Sequence, residues 1–444
     1  MNTAASAPTL PPKSSTLAGN YFVSNYPPFS FWSENQNIEV EMALNSEPTP
    51  GAKLGVYHHI PFCRQRCHFC YFRVYTDKNA KEIQTYLDAT ITELKALAAR
   101  PLIRGRKPYF VYFGGGTPSY LSARQLTELT DRMKAILPWD AAEEIAFEGE
   151  PGTLNAAKLT AIKQVGVTRL SLGVENFDDH ILDINGRAHR SPEVYTAYER
   201  ARQENFAQIN IDLIAGMVEE TEANWQRNIA ETIKLRPDSV TLYQMEVPYN
   251  TTIYKEMKAA GKLVAPVADW QTKRRWVKEG FAALESAGYT IASGYTAVLN
   301  PQRTKFVYRD ELWSGADLLG LGVASFSHAA GVHYQNHTEI ETYLAAINAG
   351  ELPLKRAFRT TPEEMMIREF ILQMKLGRVV LGYFAEKFGV DLVQRFTPQF
   401  THLTAEGLLE VTGTHVVLSR DGLLCVDTLL QEFFLQQHRT SKIV

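Results

Sequence analysis

The sequence is poor in cysteine, in long apolar runs and in any excess of charge. Its 444 residues include four cysteines, and 46 basic residues nearly balance 49 acidic ones, leaving a net charge of -3. So few cysteines exclude a secreted disulfide framework, and the absence of a basic excess argues against an extended nucleic-acid surface. No apolar run reaches the roughly eighteen residues of a membrane span, and residues 1–28 lack a signal-peptide pattern. We therefore expect a cytoplasmic protein without a membrane span or a nucleic-acid partner.

The N-terminal residues differ in character from the rest of the chain. Residues 1–52 are rich in Ser, Pro, Asn and Thr and show neither helical nor strand periodicity, which predicts an N-terminal arm. Within it, residues 20–32 (NYFVSNYPPFSFW) are strongly aromatic. Such aromatic density is unusual for a disordered tail, so we expect this segment to lie against the folded body.

Strand-like apolar runs alternate with amphipathic helices from residue 53 to residue 298. This alternation is typical of a parallel sheet with right-handed crossovers, and apolar residues from Ile83 to Leu97 recur at helical spacing. Six or seven such units favour an α/β fold with an open or complete (β/α) barrel over a two-layer sheet, although periodicity alone does not separate these architectures. The predicted strands begin at Leu54, Pro108, Glu144, Arg169, Ile209, Ser239 and Thr290.

The alternation then ends, and residues 299–444 are predicted to form a second, smaller domain. Thr361 precedes a proline and two acids, which is the pattern of a capped helix start. Two apolar runs, 407–411 and 415–419, are joined by Thr-Gly-Thr and predict a hairpin. Cys425 stands alone in an apolar setting and is expected to be a small buried side chain.

Three of the four cysteines lie together, directly after the first predicted strand. Cys63, Cys67 and Cys70 form a CxxxCxxC spacing in a loop that also carries a proline and aromatic residues. Thiolates are the usual ligands of iron–sulfur clusters, and three of them would leave one iron of a 4Fe–4S cluster free to bind a small molecule. A structural zinc site is the alternative, and it would need a fourth ligand from a nearby histidine. The candidates for that ligand are His58, His59 and His68.

The stretch from Tyr57 to Cys70 resembles the signature of the oxygen-independent coproporphyrinogen III oxidase family, a branch of the radical S-adenosylmethionine (SAM) superfamily. The resemblance implies a partial (β/α) TIM-like barrel with a smaller, mainly helical C-terminal domain that covers the substrate opening. It also implies a 4Fe–4S cluster and SAM, which is cleaved to a 5′-deoxyadenosyl radical. A small-molecule substrate such as a tetrapyrrole, reduced flavodoxin or ferredoxin as electron donor, and a monomeric state follow from the same resemblance. Within this stretch Tyr57 is a catalytic candidate, and Tyr57 and Phe69 are cofactor-binding candidates.

Two further motifs follow the next two predicted strands. The run GGGTP resembles the family's GGTP motif, which contacts the SAM amino group and makes Gly115, Gly116 and Thr117 cofactor-binding candidates. Taken alone, such a run is more often a tight turn. Glu148 corresponds to the glutamate of the family that binds SAM, although Glu148 and the nearby Glu150 could also be solvated acids.

Residues 170–177 (LSLGVENF) and the downstream Arg187 resemble the family's GVQxF motif and its arginine, which makes Glu175 and Arg187 cofactor-binding candidates. Glu175 stands where the family has an amide, so its charge could pair with Arg187 or with a sulfonium. This change weakens the case for a second SAM molecule beside the first. Asp212 corresponds to a third SAM contact of the family, whereas as a plain structural residue it would cap the strand end.

Three functions remain open at this point. The first is oxidative decarboxylation of a porphyrinogen propionate, which the aromatic arm favours, although Phe72 stands where those oxidases carry a further cysteine. The second is a radical SAM methyltransferase or cyclopropane-forming enzyme that uses a second SAM as carbon donor. The third is a haem-carrying protein, for which His328, His333 and His337 are candidate iron ligands. Residues 308–313 lack the histidine–asparagine pair usual in such carriers, which ranks this hypothesis last.

Overall fold

The structure is a computed structural model that describes residues 14–439. Within these residues, the strands form a twelve-stranded sheet and a three-stranded sheet. The strands, in chain order, are β1 (Leu54–Ile60), β2 (Phe110–Gly115), β3 (Glu144–Gly149), β4 (Arg169–Glu175), β5 (Gln208–Ala215), β6 (Ser239–Gln244), β7 (Thr290–Ile291), β8 (Thr296–Val298), β9 (Asp317–Leu321), β10 (Phe326–Ala329), β11 (Val332–Asn336), β12 (Leu354–Arg359), β13 (Arg378–Val380), β14 (Leu409–Val411) and β15 (His415–Leu418).

Helices connect the strands of the large sheet and make up most of the C-terminal region. In the described part of the chain, none is both long enough and apolar enough to cross a membrane. The α-helices are α1 (Asn37–Leu44), α2 (Ala80–Ala98), α3 (Ala123–Ile136), α4 (Ala156–Gln164), α5 (Asp179–Ile184), α6 (Ser191–Gln203), α7 (Glu222–Leu235), α8 (Thr252–Ala259), α9 (Trp270–Ser286), α10 (Val307–Trp313), α11 (Ile340–Asn348), α12 (Pro362–Met374), α13 (Leu381–Phe388), α14 (Leu392–Arg395), α15 (Thr397–Ala405), α16 (Arg420–Leu424) and α17 (Val426–Leu430).

Seven parallel strands form the centre of the large sheet, in the order β9-β1-β2-β3-β4-β5-β6. Antiparallel strands extend this sheet on both sides and end it at β12 and β7. These two edge strands do not pair with each other within residues 14–439, so the barrel is open rather than complete. The predicted α/β fold with a partial barrel is therefore confirmed.

The predicted strand starts agree with β1 to β6, the largest difference being Pro108 against Phe110. The run at Thr290 does not form one further parallel strand, so that prediction is wrong. A bend at Ser293–Tyr295 divides the run into β7 and β8, and β8 pairs antiparallel with both β6 and β7. The large sheet also continues beyond residue 298 through β9 to β12, whereas the predicted division into domains at that point stays a prediction.

The C-terminal helices and the small sheet enclose a second core, and the arm packs on it. Val23 and Tyr26 of the arm are buried among the apolar side chains of this core. The prediction that residues 20–32 lie against the folded body is therefore confirmed. The helix start also forms as predicted, since Thr361 Oγ1 accepts a hydrogen bond from Glu364 N at 3.2 Å. The predicted hairpin forms as the antiparallel pair β14 and β15.

The buried carboxylate of Glu93 connects α2 to the segment from β9 to α11 through hydrogen bonds. Glu93 accepts hydrogen bonds from Gly322 N at 2.8 Å, from Tyr343 OH at 2.7 Å and from Asn336 Nδ2. Burial raises the pKa of Glu93 from 4.5 to about 7. Because the folded state binds this proton more tightly than the unfolded state, the contribution of Glu93 to stability falls as pH rises from 4.5 through about 7.

We expect Glu93→Gln to lower the free energy of unfolding at pH 5 by about 1–3 kcal/mol, because the amide carries two N–H donors where the neutral acid carries one O–H, and of the three partners only the Tyr343 hydroxyl can also accept. The pH-dependent loss of stability between pH 5 and pH 8 is expected to become smaller. Thermal-unfolding midpoints measured across this range test both effects. The matched control is Glu128→Gln on the exposed face of α3, expected within about 0.5 kcal/mol of wild type. Equal midpoints for the two variants would show that the Glu93 contacts contribute little.

Candidate functional site

The carboxyl ends of the parallel strands face one large cavity of about 1450 Å³. All twelve site residues predicted from the sequence line it, although they come from seven separate segments of the chain. This placement shows that they share one space, whereas the role of each residue stays a prediction. The twelve are Tyr57, Cys63, Cys67, Phe69, Cys70, Gly115, Gly116, Thr117, Glu148, Glu175, Arg187 and Asp212.

The loop after β1 carries the three cysteines and is anchored at both ends. Cys63 N donates to Tyr75 O at 3.1 Å, and Tyr75 N donates to Pro61 O at 2.8 Å, which closes the loop on itself. His68 N donates to Asn185 O at 2.9 Å and ties the loop to the end of α5. The loop is thus held in place by its own backbone and by the backbone at the end of α5.

Two of the three cysteine sulfurs accept hydrogen bonds. Thr117 Oγ1 donates to Cys63 Sγ, and Arg187 Nη1 donates to Cys67 Sγ, both at 3.3 Å. Burial raises the pKa of Cys63 to about 11 and that of Cys70 to about 12, and the neighbouring Cys67 adds to both shifts. Positively charged iron would offset the cost of ionising these buried thiols. Hydrogen-bond donors directed at the ligand sulfurs adjust the reduction potential of an iron–sulfur cluster. The set of donors therefore fits a cluster held by three thiolates.

The histidines considered as a fourth zinc ligand take other positions. His58 does not line the cavity, and His68 Nδ1 lies 3.0 Å from the backbone oxygen of Ile184. His59 lines the cavity, with its Nδ1 3.1 Å from Tyr57 OH. Among residues 14–439, no three His, Cys, Asp or Glu side chains are arranged around a single ion position. The structure therefore gives the zinc alternative no support.

The glycines at the end of β2 allow two segments to approach closely. Gly115 has a φ of 112°, and a Cβ there would lie 2.5 Å from the ring of His59. A Cβ on Gly116 would lie 3.0 Å from Cys63 Sγ and 2.9 Å from Ile60 O. The run is therefore more than a tight turn, because any side chain at these two positions would displace the cysteine loop.

Three carboxylates lie where β3, β4 and β5 reach the cavity. Tyr112 OH donates to Glu148 Oε1 at 2.6 Å, and Ser171 Oγ donates to Asp212 Oδ2 at 2.8 Å. Burial, together with repulsion among the three acids, raises the pKa of Glu148 and of Glu175 to about 7, and burial raises the pKa of Asp212. Glu148 has a protein hydrogen-bond partner rather than only solvent, and Asp212 lies within β5 rather than at its end. The structure therefore agrees with neither of the two plain structural interpretations. Acids confined together in this way favour a cationic ligand.

Glu150, the other acid considered as solvated, is buried, at 8% exposure. Arg64 Nη2 donates to Glu150 Oε1 at 2.9 Å, and His189 Nδ1 lies 3.1 Å from the same oxygen. Burial opposes the charge of Glu150, but the hydrogen bonds from His189 and Arg64 outweigh it and lower the pKa to about 2. This carboxylate anchors the cysteine loop through Arg64, a role that sequence analysis missed.

Glu175 adopts an unusual backbone conformation. Its φ of 65° lies in the left-handed region, which residues with side chains seldom adopt. The register between β4 and β5 shifts between Gly173 and Glu175, and such a bulge redirects a side chain. Arg187 Nη2 lies 3.8 Å from Glu175 Oε1, so the predicted pair forms, but at a distance longer than a direct hydrogen bond. A strained backbone conformation at a residue that lines a cavity favours a functional role for Glu175.

Sequence analysis also missed a group of cations on the wall formed by α10, β12 and α12. Arg309, Arg356 and Arg368 line the cavity there. Arg368 is 2% exposed and donates to Asn25 Oδ1 at 2.7 Å and to Leu312 O at 3.3 Å. In the part of the chain that the structure describes, neither Arg356 nor Arg368 forms an ion pair. No motif or regular spacing links these arginines, so the sequence holds no signal that could have found them.

An aromatic wall lies between the acidic and the basic groups. The ring centroids of Tyr57 and Tyr112 are 5.8 Å apart, and those of Tyr112 and Tyr308 are 4.5 Å apart. Tyr308 is close enough to both Glu148 and Arg368 for each charge to shift its pKa. The cavity therefore offers a flat apolar surface with negative charge on one side and positive charge on the other.

Two further residues of the sequence analysis lie on this cavity. Phe72, which stands in place of a cysteine, is 41% exposed and packs against Tyr71 with ring centroids 4.5 Å apart. Cys425 is only partly buried, and it lies at the junction of α16 and α17 on the cavity wall. The prediction of a buried Cys425 is therefore wrong: its side chain packs against the second core, but it is also open to the cavity.

Comparisons with known proteins agree with this arrangement. Residues 57–231 match the family model described as radical SAM superfamily, and residues 360–425 match that of the HemN C-terminal domain. The heme chaperone HemW of Bacillus subtilis is 30% identical over 373 residues, which cover 83% of this chain and 96% of the relative. The oxygen-independent coproporphyrinogen III oxidase of Synechocystis is 26% identical over 442 residues, 93% of each chain. The solved structure of coproporphyrinogen III oxidase (HemN) from Escherichia coli has the same fold, with a TM-score of 0.82, 22% identity, and coverage of 94% and 99%.

We expect Cys67→Ser to abolish the iron–sulfur absorbance of anaerobically reconstituted protein, because a hydroxyl group replaces one of three thiolate ligands. Iron and sulfide content and the visible spectrum measure the loss. Cys425→Ser is the matched control, since Cys425 shares the cavity wall but lies on another segment, and it is expected to retain the full iron content. Equal iron contents in the two variants would contradict the assignment of the cysteine loop.

Proposed function

Because the chain belongs to the oxygen-independent coproporphyrinogen III oxidase-like family of the radical SAM superfamily, we propose that it oxidatively decarboxylates a propionate side chain of a porphyrinogen. Its cofactors are a 4Fe–4S cluster and SAM, which together supply a carbon radical able to remove a hydrogen atom. One observation carries the proposal. One cavity contains both an acidic wall beside the cysteines and a basic wall. Two arginines of the basic wall, Arg356 and Arg368, have no acidic partner among residues 14–439.

The acidic wall suits the cofactors. Cys63, Cys67 and Cys70 would hold the cluster, and Thr117 and Arg187 would keep hydrogen bonds to two of its ligand sulfurs. The SAM sulfonium and ammonium groups are cationic, so the carboxylates at the ends of β3, β4 and β5 would attract them. Burial behind the aromatic wall would keep water from the reacting carbon.

The basic wall suits a substrate with several carboxylates. Arginine binds carboxylates through charge-assisted hydrogen bonds. Arg356 and Arg368 line one side of the cavity and have no acidic partner among residues 14–439, whereas Arg309 beside them already pairs with Asp310. The rings of Tyr57 and Tyr308 offer faces against which a flat pyrrole ring can pack. Propionates held at the arginines would place the ring system between the basic wall and the cofactors.

A haem-carrying protein is the second candidate function. The Bacillus subtilis relative is named as a heme chaperone, and His328 presents a neutral imidazole on the cavity wall. Against it, residues 308–313 place Tyr308 and Arg309 on the cavity and contain no histidine. The methyltransferase alternative is not carried further, because none of the relatives described above bears such a name.

The proposal also covers the number of SAM molecules, the electron donor, the oligomeric state and the location of the protein. We propose one bound SAM, reduced flavodoxin or ferredoxin as electron donor, a monomeric state and a cytoplasmic location. A C-terminal domain over residues 299–444 would cover the substrate opening. Its support is that Arg368, Leu424 and Cys425, all from this region, line the same cavity as the cysteines.

We expect SAM to bind more weakly at low pH. Burial raises the pKa of Glu148 and of Glu175 to about 7, and only the charged carboxylates attract a cation. We therefore expect the affinity for SAM to fall by about tenfold per group between pH 8 and pH 6. Glu175→Gln removes one group and is expected to make the dependence shallower. Equilibrium dialysis of SAM against cluster-loaded protein measures it. The matched control is Glu256→Gln, an exposed residue outside the cavity, and a pH dependence unchanged in Glu175→Gln would contradict the assignment.

The proposed reaction is tested by product analysis under anaerobic conditions. Reconstituted protein is mixed with SAM and dithionite, with and without coproporphyrinogen III, and 5′-deoxyadenosine and porphyrin products are separated by chromatography. Cys67→Ala serves as the blank. We expect deoxyadenosine to rise with the porphyrinogen while a product appears that has lost at least one of its carboxylate groups as carbon dioxide.

Other outcomes would point elsewhere. Deoxyadenosine formed without change in the porphyrinogen, together with S-adenosylhomocysteine, would overturn the decarboxylation in favour of methyl transfer. No cleavage of SAM with intact cysteines would instead favour the haem carrier.

A further inference from the structure

A chain of hydrogen bonds runs from Arg368 of α12 through Asn25 of the arm to a histidine on the cavity wall. Arg368 Nε donates to Asn25 Oδ1 at 2.7 Å, which orients the amide so that Asn25 Nδ2 faces His333 Nδ1 at 3.2 Å. The other ring nitrogen of His333, Nε2, lies 3.1 Å from Tyr26 O. Finally, His333 Nδ1 lies 3.1 Å from His328 Nδ1.

These contacts determine which nitrogen of His333 carries the proton. A backbone oxygen such as Tyr26 O can only accept a hydrogen bond, so Nε2 of His333 must be the donor. An amide nitrogen such as Asn25 Nδ2 can only donate, so Nδ1 of His333 must be the acceptor. Two independent partners thus require the same neutral tautomer.

The tautomer of His333 in turn determines that of His328. His333 Nδ1 carries no proton, and two unprotonated nitrogens 3.1 Å apart would repel, so His328 Nδ1 carries the proton and shares the Nδ1 lone pair of His333 with Asn25 Nδ2. The lone pair of His328 is then on Nε2. His328 lines the cavity at 4% exposure. Among residues 14–439, no side chain or backbone group forms a hydrogen bond with its Nε2. An unshared lone pair is therefore presented on the wall of the cavity.

The surroundings keep this imidazole neutral. Burial lowers the pKa of His328 and of His333 well below 6.5, and the positive charge of Arg368 lowers both further. Lys387 acts in the same direction on His328. The lone pair on Nε2 is therefore available throughout the neutral pH range.

We propose that His328 positions the substrate by accepting, at Nε2, a hydrogen bond from a pyrrole N–H of a porphyrinogen. This inference rests on the proposed function. The arginines of the basic wall can only donate, and they suit carboxylates rather than ring nitrogens. A porphyrinogen also carries ring N–H groups, which need an acceptor, and His328 supplies a neutral one beside Arg356 and Arg368 on the same wall.

Binding without turnover tests this role. Protein without SAM is incubated anaerobically with coproporphyrinogen III, and the retained ligand is separated by ultrafiltration, oxidised to the porphyrin and quantified by absorbance. His328→Leu removes the acceptor and is expected to weaken binding about tenfold, whereas His328→Gln restores an acceptor and is expected within about threefold of wild type. Equal affinity of the leucine variant and wild type would overturn the inference while the proposed function stands. Absence of binding by the wild type would overturn the proposed function itself, and the inference with it.

A spectroscopic measurement on unmodified protein is independent of how the variants fold. In ¹⁵N-histidine spectra, we expect Nε2 of His328 to show the shift of an unprotonated nitrogen, and to move on addition of coproporphyrinogen III. A protonated Nε2 would overturn the inference.

Discussion

The close approach of the cysteine loop to the end of β2 is the constraint on which the cavity depends. Gly116 N donates to Ile60 O at 2.8 Å, and Thr117 N donates to Phe62 O at 2.9 Å, so the two segments are joined by their backbones. Only residues without a Cβ allow this contact at positions 115 and 116. Because β1 also pairs with β9, the same loop is fixed relative to the strands that carry His328. The cysteine loop and the wall that carries His328 are therefore connected through paired strands of one sheet.

Charge is distributed unevenly around the cavity. The acids come from the ends of the parallel strands, where a barrel places its site, and they raise one another's pKa because they are buried together. The arginines come from α10, β12 and α12, which follow the parallel strands in the chain. A cationic cofactor and an anionic substrate would each find the opposite charge, and Tyr57 and Tyr308 separate the two.

The arm is part of the cavity rather than an appendage. Asn25 orients His333, while Val23 and Tyr26 are buried in the second core. The backbone oxygen of Val23 accepts a hydrogen bond from Lys375 Nζ at 2.7 Å, a contact across 352 positions of sequence. Removing the arm would leave Lys375 and Arg368 without these partners inside the protein. The arm therefore contributes hydrogen bonds to the folded structure in addition to apolar packing.

The sequence by itself determined what local patterns encode. The spacing of Cys63, Cys67 and Cys70, the glycines after β2 and the cap at Thr361 involve neighbouring residues, so periodicity and motif were sufficient to predict them, as they were for β1 to β6. Only the tertiary structure decided the basic wall, the salt bridge of Glu150 and the lone pair of His328. These depend on contacts between distant segments, such as Arg368 with Asn25 across 343 positions, and such contacts leave no spacing in the sequence. Folding alone brings those groups within hydrogen-bond distance, where burial and neighbouring charges determine their chemistry.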